Sequence, residues 1–379
     1  MADPKQNEMP PDDNELESRL RPMRDRIDQL DDDLVKLLNE RARVAVEIGR
    51  AKREAAGGSG GTASFYVPSR ERAVFDKIHR LNEGPLGDRT LDAVWREIMS
   101  GSIGLQKPLR VAYLGPAGSF SHAAAIGKFG NSVDYVPASD IDAVFGSVAR
   151  RHADCGLVPV ENSSHGGVID TLDAFLDHSA KVCAEVLITI HHCVLCRGPW
   201  DEVKTVTTKP EVLAQCRGWL GDVAGRRSVE PAASTSAAAE RAAADPTVAA
   251  IASRLAGEIY DVPRLFENIE DDPDNVTRFW VIGSEAAKPT GEDKTGVLFT
   301  TANKPGALVA VLDSFRDNGV NLTDIEKRPS GRTNWEYVFF VDAEGHESDP
   351  KLQAAITAAR EHCLQLTVLG SYPRASDVL

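Results

Sequence analysis

The sequence predicts a multidomain chain, all-α at its N-terminus, α/β through the middle and α+β at its C-terminus. Three observations carry this. Over roughly the first 105 residues, apolar side chains recur only at three- and four-residue steps. From Arg110 to Gly283, short apolar runs alternate with helical stretches. The last segment orders strand, helix, strand, strand, helix, strand, the split ferredoxin-like arrangement. The boundaries read as a disordered leader over 1–15, a helical domain over 16–106, an α/β domain over 109–285 and an α+β domain over 294–373.

Composition narrows the classes of function. A length of 379 residues with 42% hydrophobic side chains is enough for two or three real cores. A net charge of -14 argues against nucleic acid and against anionic membrane surfaces, because both reward basic patches. No apolar run approaches the ~20 residues needed to span a bilayer, and the acidic leader is not a signal peptide. Six scattered cysteines suit reduced thiols in a cytoplasm. Cys193 and Cys196 form a CxxC, but on a strand their odd separation points the thiols to opposite faces. With no second pair, and despite the adjacent His191 and His192, no metal site is expected. The sequon Asn162-Ser163-Ser164 is read as chance without a secretory signal.

The first helix places Ile27, Leu30, Leu34, Leu37, Ala45 and Ile48 on one stripe, with Pro22 at an early helical position. The glycine-rich run Gly57 to Gly61 ends it, and helices near 69–81 and 90–106 follow. At ~100° per residue from Arg24, Leu30, Leu34 and Leu37 fall at about 240°, 280° and 220°. Arg41 at about 260° and Lys52 at about 280° therefore lie in the middle of the apolar stripe, whereas Arg24 lies about 95° off it. Cations on such a stripe are costly unless an anion meets them, either on a neighbouring helix or in a ligand. Arg70 and Glu71 open the second helix, and Ser102 and Gln106 lie at i, i+4 on the third. Together these groups suit a cationic, hydrogen-bonding pocket for a small dianion.

These residues, from Arg24 through Gln106, resemble the all-helical chorismate mutase family. The resemblance implies an intertwined dimer in which Arg24 enters the partner's site. It implies that Arg24 and Arg41 hold the two substrate carboxylates and that Lys52 and Gln106 donate to the ether oxygen. Glu71 would accept from the ring hydroxyl, with Arg70 and Ser102 lining the pocket. A pericyclic rearrangement needs no nucleophile, only a held conformer and stabilised charge. Val67 stands where many relatives carry an aspartate.

In the middle segment, "YLGPAGSFSH" runs from strand into a helix that Ser119 or Ser121 can cap. A buried strand then delivers Glu161, Asn162 and Ser163 at its C-terminal end, where open α/β sheets place ligands. A polar turn with a helix cap would look the same locally. The strand "TRFWVIG" carries Thr277 and Arg278 at its mouth, out of keeping with its apolar run. Together with "STSAAAE", these stretches strongly resemble prephenate dehydratase from about Arg110 to Gly283. The resemblance implies two α/β lobes with substrate between them. It implies a hydrogen bond or proton from Thr277 to the leaving hydroxyl, with Glu161 sharing or supplying that role. It makes Arg278 a carboxylate clamp and Phe279 a pocket wall, with Asn162, Ser163, Thr171, Thr208 and Gln215 lining. Relatives often read Ser-His-Pro where this chain has Thr208-Lys209-Pro210.

In the last segment, "NKPGALVAVLDSF" and "NLTDIEKRPS" resemble the regulatory ACT domain that follows prephenate dehydratases. The signature stretches map onto Gly306, Ala307, Leu308 and Val309, and onto Glu326, Lys327, Arg328 and Pro329, with Lys327 replacing a usual serine. Those residues other than Lys327, with Asn321, would bind an effector, which the resemblance implies to be L-phenylalanine. Gly306 lets backbone approach a ligand at a helix N-terminus. An ordinary strand–helix turn is the plainer reading of the same glycine.

The joint expectation is a cytoplasmic bifunctional enzyme of phenylalanine biosynthesis, acting on chorismate and prephenate. It needs no cofactor and forms a homodimer or homotetramer. Two alternatives stand beside it. One is a monofunctional prephenate or arogenate dehydratase with a weak or inactive mutase domain. The other is an amino-acid sensor that has lost catalysis.

Overall fold

A computed structural model of the chain describes residues 13–55, 66–225, 227–329 and 337–379. Most of the expected leader and the run Gly57 to Gly61 lie outside the described residues. The chain divides into two compact units, one of residues 1–65 with 105–107 and one of residues 66–104 with 108–379.

The first unit is built on α1 (Asp13–Ala55). This helix begins inside the expected leader, so Pro22 lies within it rather than at its start. Its periodic stripe is uncovered: Ile27, Leu30, Leu34, Leu37 and Ile48 are 46 to 62% exposed, while Ala45 is buried. A long helix with one bare apolar face is not stable by propensity alone and calls for a packing partner.

The second unit opens with α2 (Pro68–Leu81), where Pro68 occupies the first turn, and α3 (Asp88–Gln106), which ends in the first unit. Then come β1 (Arg110–Leu114), α4 (Phe120–Phe129), β2 (Asp134–Ala138), α5 (Ile141–Ala149) and β3 (Cys155–Asn162). The lobe continues through β4 (Gly166–Gly167), α6 (Ile169–Asp177) and β5 (Lys181–Thr189). The caps expected of such helices are present: Ser119 caps α4 and Asp140 caps α5.

A second lobe follows. It comprises β6 (Cys193–Leu195), β7 (Thr205–Thr208), α7 (Pro210–Gln215), α8 (Arg217–Asp222), β8 (Ser228–Pro231), α9 (Thr235–Ala244), β9 (Val248–Ala252), α10 (Arg254–Ile259) and β10 (Arg264–Phe266). Its sheet order is β10-β6-β9-β7-β8. The chain then returns to the first lobe as β11 (Val276–Gly283), giving the order β2-β1-β3-β11-β5 with β4 on β3. The two lobes are thus joined by two crossings, from β5 to β6 and from β10 to β11, the two-lobed arrangement that the resemblance implied. Cys193 packs in one core cluster and Cys196 in another, so the CxxC thiols do face opposite sides of the second sheet.

The C-terminal part comprises β12 (Asp293–Thr300), α11 (Ala307–Asp317), β13 (Leu322–Pro329), β14 (Tyr337–Glu344), α12 (Pro350–His362) and β15 (Gln365–Pro373). Its antiparallel sheet runs β13-β14-β12-β15. One sheet face packs on α11 and α12 through Phe299, Val311, Phe315, Leu352 and Ile356. The other joins the first lobe's core, where Leu298, Phe340, Leu369 and Tyr372 pack with Phe145, Phe175 and Trp280. The approach is closest at Gly370, where a Cβ would stand 2.3 Å from the Val182 carbonyl.

A buried ionic cluster sits in that seam. Arg278 on β11 donates from Nε to Glu185 on β5 at 2.6 Å and from Nη2 to the Tyr372 hydroxyl at 3.0 Å. It also pairs with Asp342 on β14. Lys294 on β12 donates to Glu185 at 2.9 Å, and the Ala375 N–H donates to the other Glu185 oxygen at 3.0 Å. Burial on its own would raise the Glu185 carboxyl, but Arg278 and Lys294 outweigh it and hold it below its ordinary range. Strand β13 lays a second row of contacts beside this cluster. Asp324 stands 3.7 Å from Arg278, and Arg328 forks onto Asp173 of α6 at 3.1 and 2.8 Å. Among the described residues, no helix is long and apolar enough to cross a membrane.

Removing one partner of a buried pair strands the others. Arg278→Met is expected to destabilise the chain by about 3 kcal/mol, read as a lower urea midpoint. That is the low end of the usual range, because Lys294 and Tyr372 still serve the two acids. Glu185 has a depressed folded-state pKa. Its stabilisation is therefore complete above the unfolded value of about 4.3 and is lost as pH falls through the folded value. Glu185→Gln is expected to be less stable at neutral pH and to show a shallower acid slope in urea titrations between about pH 5 and 3.

Candidate active sites

The hinge of the two lobes holds a continuous run of polar side chains. Thr277 pairs in register with Asn162 across β11 and β3, so the two share a face. Asn162 Oδ1 accepts from the Ser164 backbone N–H at 3.1 Å, which fixes the amide's orientation without ambiguity. Its Nδ2 therefore donates to Thr277 Oγ1 at 2.9 Å and to Asn275 Oδ1 at 2.7 Å. Thr277 accepts this bond, so its own hydroxyl proton is not committed to Asn162. Ser163 clamps the same corner: its N–H donates to the Val276 carbonyl at 2.9 Å and its Oγ accepts from the Val276 N–H at 3.0 Å.

The run continues through Gln215, an expected lining group, and through His165 and His192, which the sequence did not assign to this site. His165 Nδ1 lies 3.0 Å from Asn162 Oδ1, and Gln215 Nε2 lies 3.4 Å from the same His165 nitrogen. Gln215 Oε1 is 2.8 Å from His192 Nε2, and the His192 ring stands edge-on to Phe120 of the other lobe. The doubled histidine at 191–192 was the available signal; read only as a metal motif, it gave no hint of a cleft role. His192 is fully buried, and burial pushes its pKa down, so the ring is neutral.

The other expected lining groups divide by face. Glu161 pairs in register with Arg278 and stands 3.7 Å from its guanidinium, on the side facing the C-terminal sheet. Phe279 returns to the Thr277 side and is buried in the core there. The carboxylate-clamp expectation for Arg278 is corrected: strand alternation turns it away from Thr277, and buried acids occupy its fork. Thr171 and Thr208 are also corrected. Both are fully buried, and their hydroxyls donate to the Pro159 carbonyl at 2.5 Å and the Ile251 carbonyl at 2.6 Å, so they brace the strands.

The helical groups fall in both units. In the first, Gln106 packs against Gly49, where a Cβ would stand 2.9 Å from the Gln106 Cβ. Arg53 donates to the Gln106 carbonyl at 2.5 Å. Lys52 lies on the same stretch of α1, and burial lowers its pKa. Arg41 is half-buried, whereas Arg24 is exposed and pairs with Glu17. In the second unit, Arg70 is exposed and Ser102 is buried, donating to the Ile98 carbonyl at 2.7 Å. Glu71 pairs with Lys128 at 2.8 Å and accepts from the Tyr66 hydroxyl at 3.2 Å.

In the C-terminal domain, Gly306 takes φ +79° as the N-cap of α11, a conformation that favours glycine. Ala307 is buried, Leu308 half-buried and Val309 exposed behind it. Asn321 is exposed at the start of β13, and its carbonyl accepts from the Glu344 N–H. Along β13, half-buried Asp324, Glu326 and Arg328 alternate with exposed Ile325, Lys327 and Pro329. The effector expectation for Glu326 and Arg328 is corrected. Glu326 Oε1 would be 2.8 Å from a Cβ at Gly167, and Arg328 holds Asp173, so both side chains serve the seam with the first lobe.

Three family models match in order along the chain: Chorismate mutase type II over 23–107, Prephenate dehydratase over 111–287 and ACT domain over 292–361. A bifunctional chorismate mutase/prephenate dehydratase of Pseudomonas aeruginosa is 44% identical over 363 residues, covering 95% of this chain and 99% of the relative. The solved prephenate dehydratase of Arthrobacter aurescens, in complex with L-Phe, aligns with TM-score 0.66 and 33% identity. It covers 70% of this chain and 90% of its own. A chain described as a novel type of quorum quenching acylase, GqqA, aligns at TM-score 0.66 with 26% identity, covering 70% of this chain and 98% of its own, so the fold alone does not fix the chemistry. With all three modules in order and near-full-length identity to such a relative, the chain belongs to the bifunctional chorismate mutase/prephenate dehydratase family.

Proposed function

We propose that this chain rearranges chorismate to prephenate in its helical part and converts prephenate to phenylpyruvate in the hinge cleft, with loss of water and carbon dioxide. The dehydratase assignment rests above all on the Asn162–Thr277 bond. By donating to Thr277 Oγ1, the Asn162 amide aims the threonine proton into the cleft and makes the hydroxyl a better donor. A departing hydroxide needs such a donor, and aromatisation of the ring supplies the drive. Glu161 lies on the other face with Arg278, so Thr277 is the proton donor in this reading.

In the mutase reading, Lys52 and Gln106 stabilise charge growing on the ether oxygen, and Arg24 and Arg41 hold carboxylates. The bare stripe of α1 supports a homodimer in which a second copy covers Leu30, Leu34 and Leu37. The Gly306–Val309 turn is the effector contact, and L-phenylalanine is the effector. Its carboxylate suits the N–H groups at the start of α11. Six unpaired cysteines accord with a cytoplasmic setting.

Two variants test the assignments separately. Thr277→Ala is expected to lower kcat for phenylpyruvate formation by about 100-fold while leaving chorismate consumption unchanged. Lys52→Ala is expected to lower mutase kcat/KM by about 100-fold while leaving the dehydratase intact. Full dehydratase activity in Thr277→Ala would refute the donor role. An unchanged mutase rate in Lys52→Ala would refute the first site. Adding L-phenylalanine is expected to slow the wild-type dehydratase.

A further inference from the structure

We infer that His192 is a positioning residue of the dehydratase site, holding the Gln215 amide so that its NH2 group faces the Thr277–Asn162 cluster. The inference rests on reading this cleft as the dehydratase site.

His192 is fully buried and its Nε2 lies 2.8 Å from Gln215 Oε1. Its other nitrogen, Nδ1, has no hydrogen-bond partner among the described residues. Buried N–H groups are left without an acceptor more rarely than buried acceptors are left without a donor. The neutral ring therefore carries its proton on Nε2, and that proton goes to Gln215 Oε1. The amide cannot turn over, because its NH2 would then face the Nε2–H.

The rest of the cluster leaves the Gln215 NH2 available. His165 Nδ1 is closer to Asn162 Oδ1, at 3.0 Å, than to Gln215 Nε2, at 3.4 Å. Its Nδ1 proton therefore serves Asn162, and the Gln215 NH2 lies beside that ring. Two fixed amides, Asn162 and Gln215, thus flank His165, and Asn162 in turn donates to Thr277.

His192 is itself well anchored. Its backbone N–H donates to Glu270 at 2.8 Å, its carbonyl accepts from Ile269, and Phe120 meets the ring edge-on. The Phe120 contact comes from the opposite lobe, so the ring's position reports how the lobes sit about the hinge. Nothing in its surroundings puts the ring against the Thr277 hydroxyl, so its influence on the reaction passes through Gln215.

The test is a double-mutant cycle on the full-length enzyme, with the mutase rate of the same chain as the check on folding. His192→Leu removes the donor and is expected to lower kcat/KM for prephenate by about tenfold, chiefly through KM, since one oriented hydrogen bond is released. His192→Gln places an amide N–H where Nε2 lies and is expected to restore most of that loss. In a Gln215→Ala background, His192→Leu is expected to cause no further loss. The inference is overturned if His192→Leu keeps wild-type kcat/KM, if His192→Gln is no better than His192→Leu, or if the two losses simply multiply. A wild-type enzyme that makes no phenylpyruvate from prephenate would instead overturn the assignment of the cleft, and the inference with it.

Discussion

The buried guanidinium of Arg278 is the contact on which the catalytic sheet and the C-terminal sheet both depend. It meets Glu185 within its own sheet and Asp342 and Tyr372 in the other, and all four groups are removed from solvent. A charge in such a place is tolerated only when every partner is present. The strand that carries it also carries Thr277 one residue earlier. The two sheets thus cannot separate at this point without disturbing the strand at the cleft.

Alternation along β11 divides the work. Thr277 and Phe279 face the cleft and the first-lobe core, while Arg278 and Trp280 face the C-terminal sheet. Strand β3 does the same with Asn162 and Glu161, paired in register with Thr277 and Arg278. Neighbouring motif residues therefore serve different neighbours: one set lies at the hinge of the two lobes and the other ties those strands to the C-terminal sheet. Strand β13 shows the matching division, with Asp324, Glu326 and Arg328 turned to the catalytic lobe and Ile325, Lys327 and Pro329 to the outside.

This division gives regulation a physical route. In the proposed reading, an effector at the Gly306 turn would act on the sheet whose β13 and β14 hold Asp324 and Asp342 against Arg278. Like charges crowd there: burial pushes the Asp324 carboxyl up, and Glu161 and Asp342 add to the rise. A small displacement of β13 changes the balance around Arg278, because a buried guanidinium amid four carboxylates is sensitive to each distance.

By itself the sequence determined the three segments, their element types and the motif stretches, because these depend on local periodicity and turn chemistry. The stripe of α1, the cap at Ser119, the glycine at 306 and the opposed CxxC thiols are all of that kind. Tertiary structure alone decided which side chain faces which neighbour. The register of β11 against β3 and β5 turned Arg278 from the cleft to the seam, and sheet-on-sheet packing supplied Asp342 and Tyr372 as its partners. His192 and Gln215 lie 23 residues apart in sequence and meet only because the second lobe folds around them. A strand's period tells which residues share a face; only long-range packing tells what that face meets.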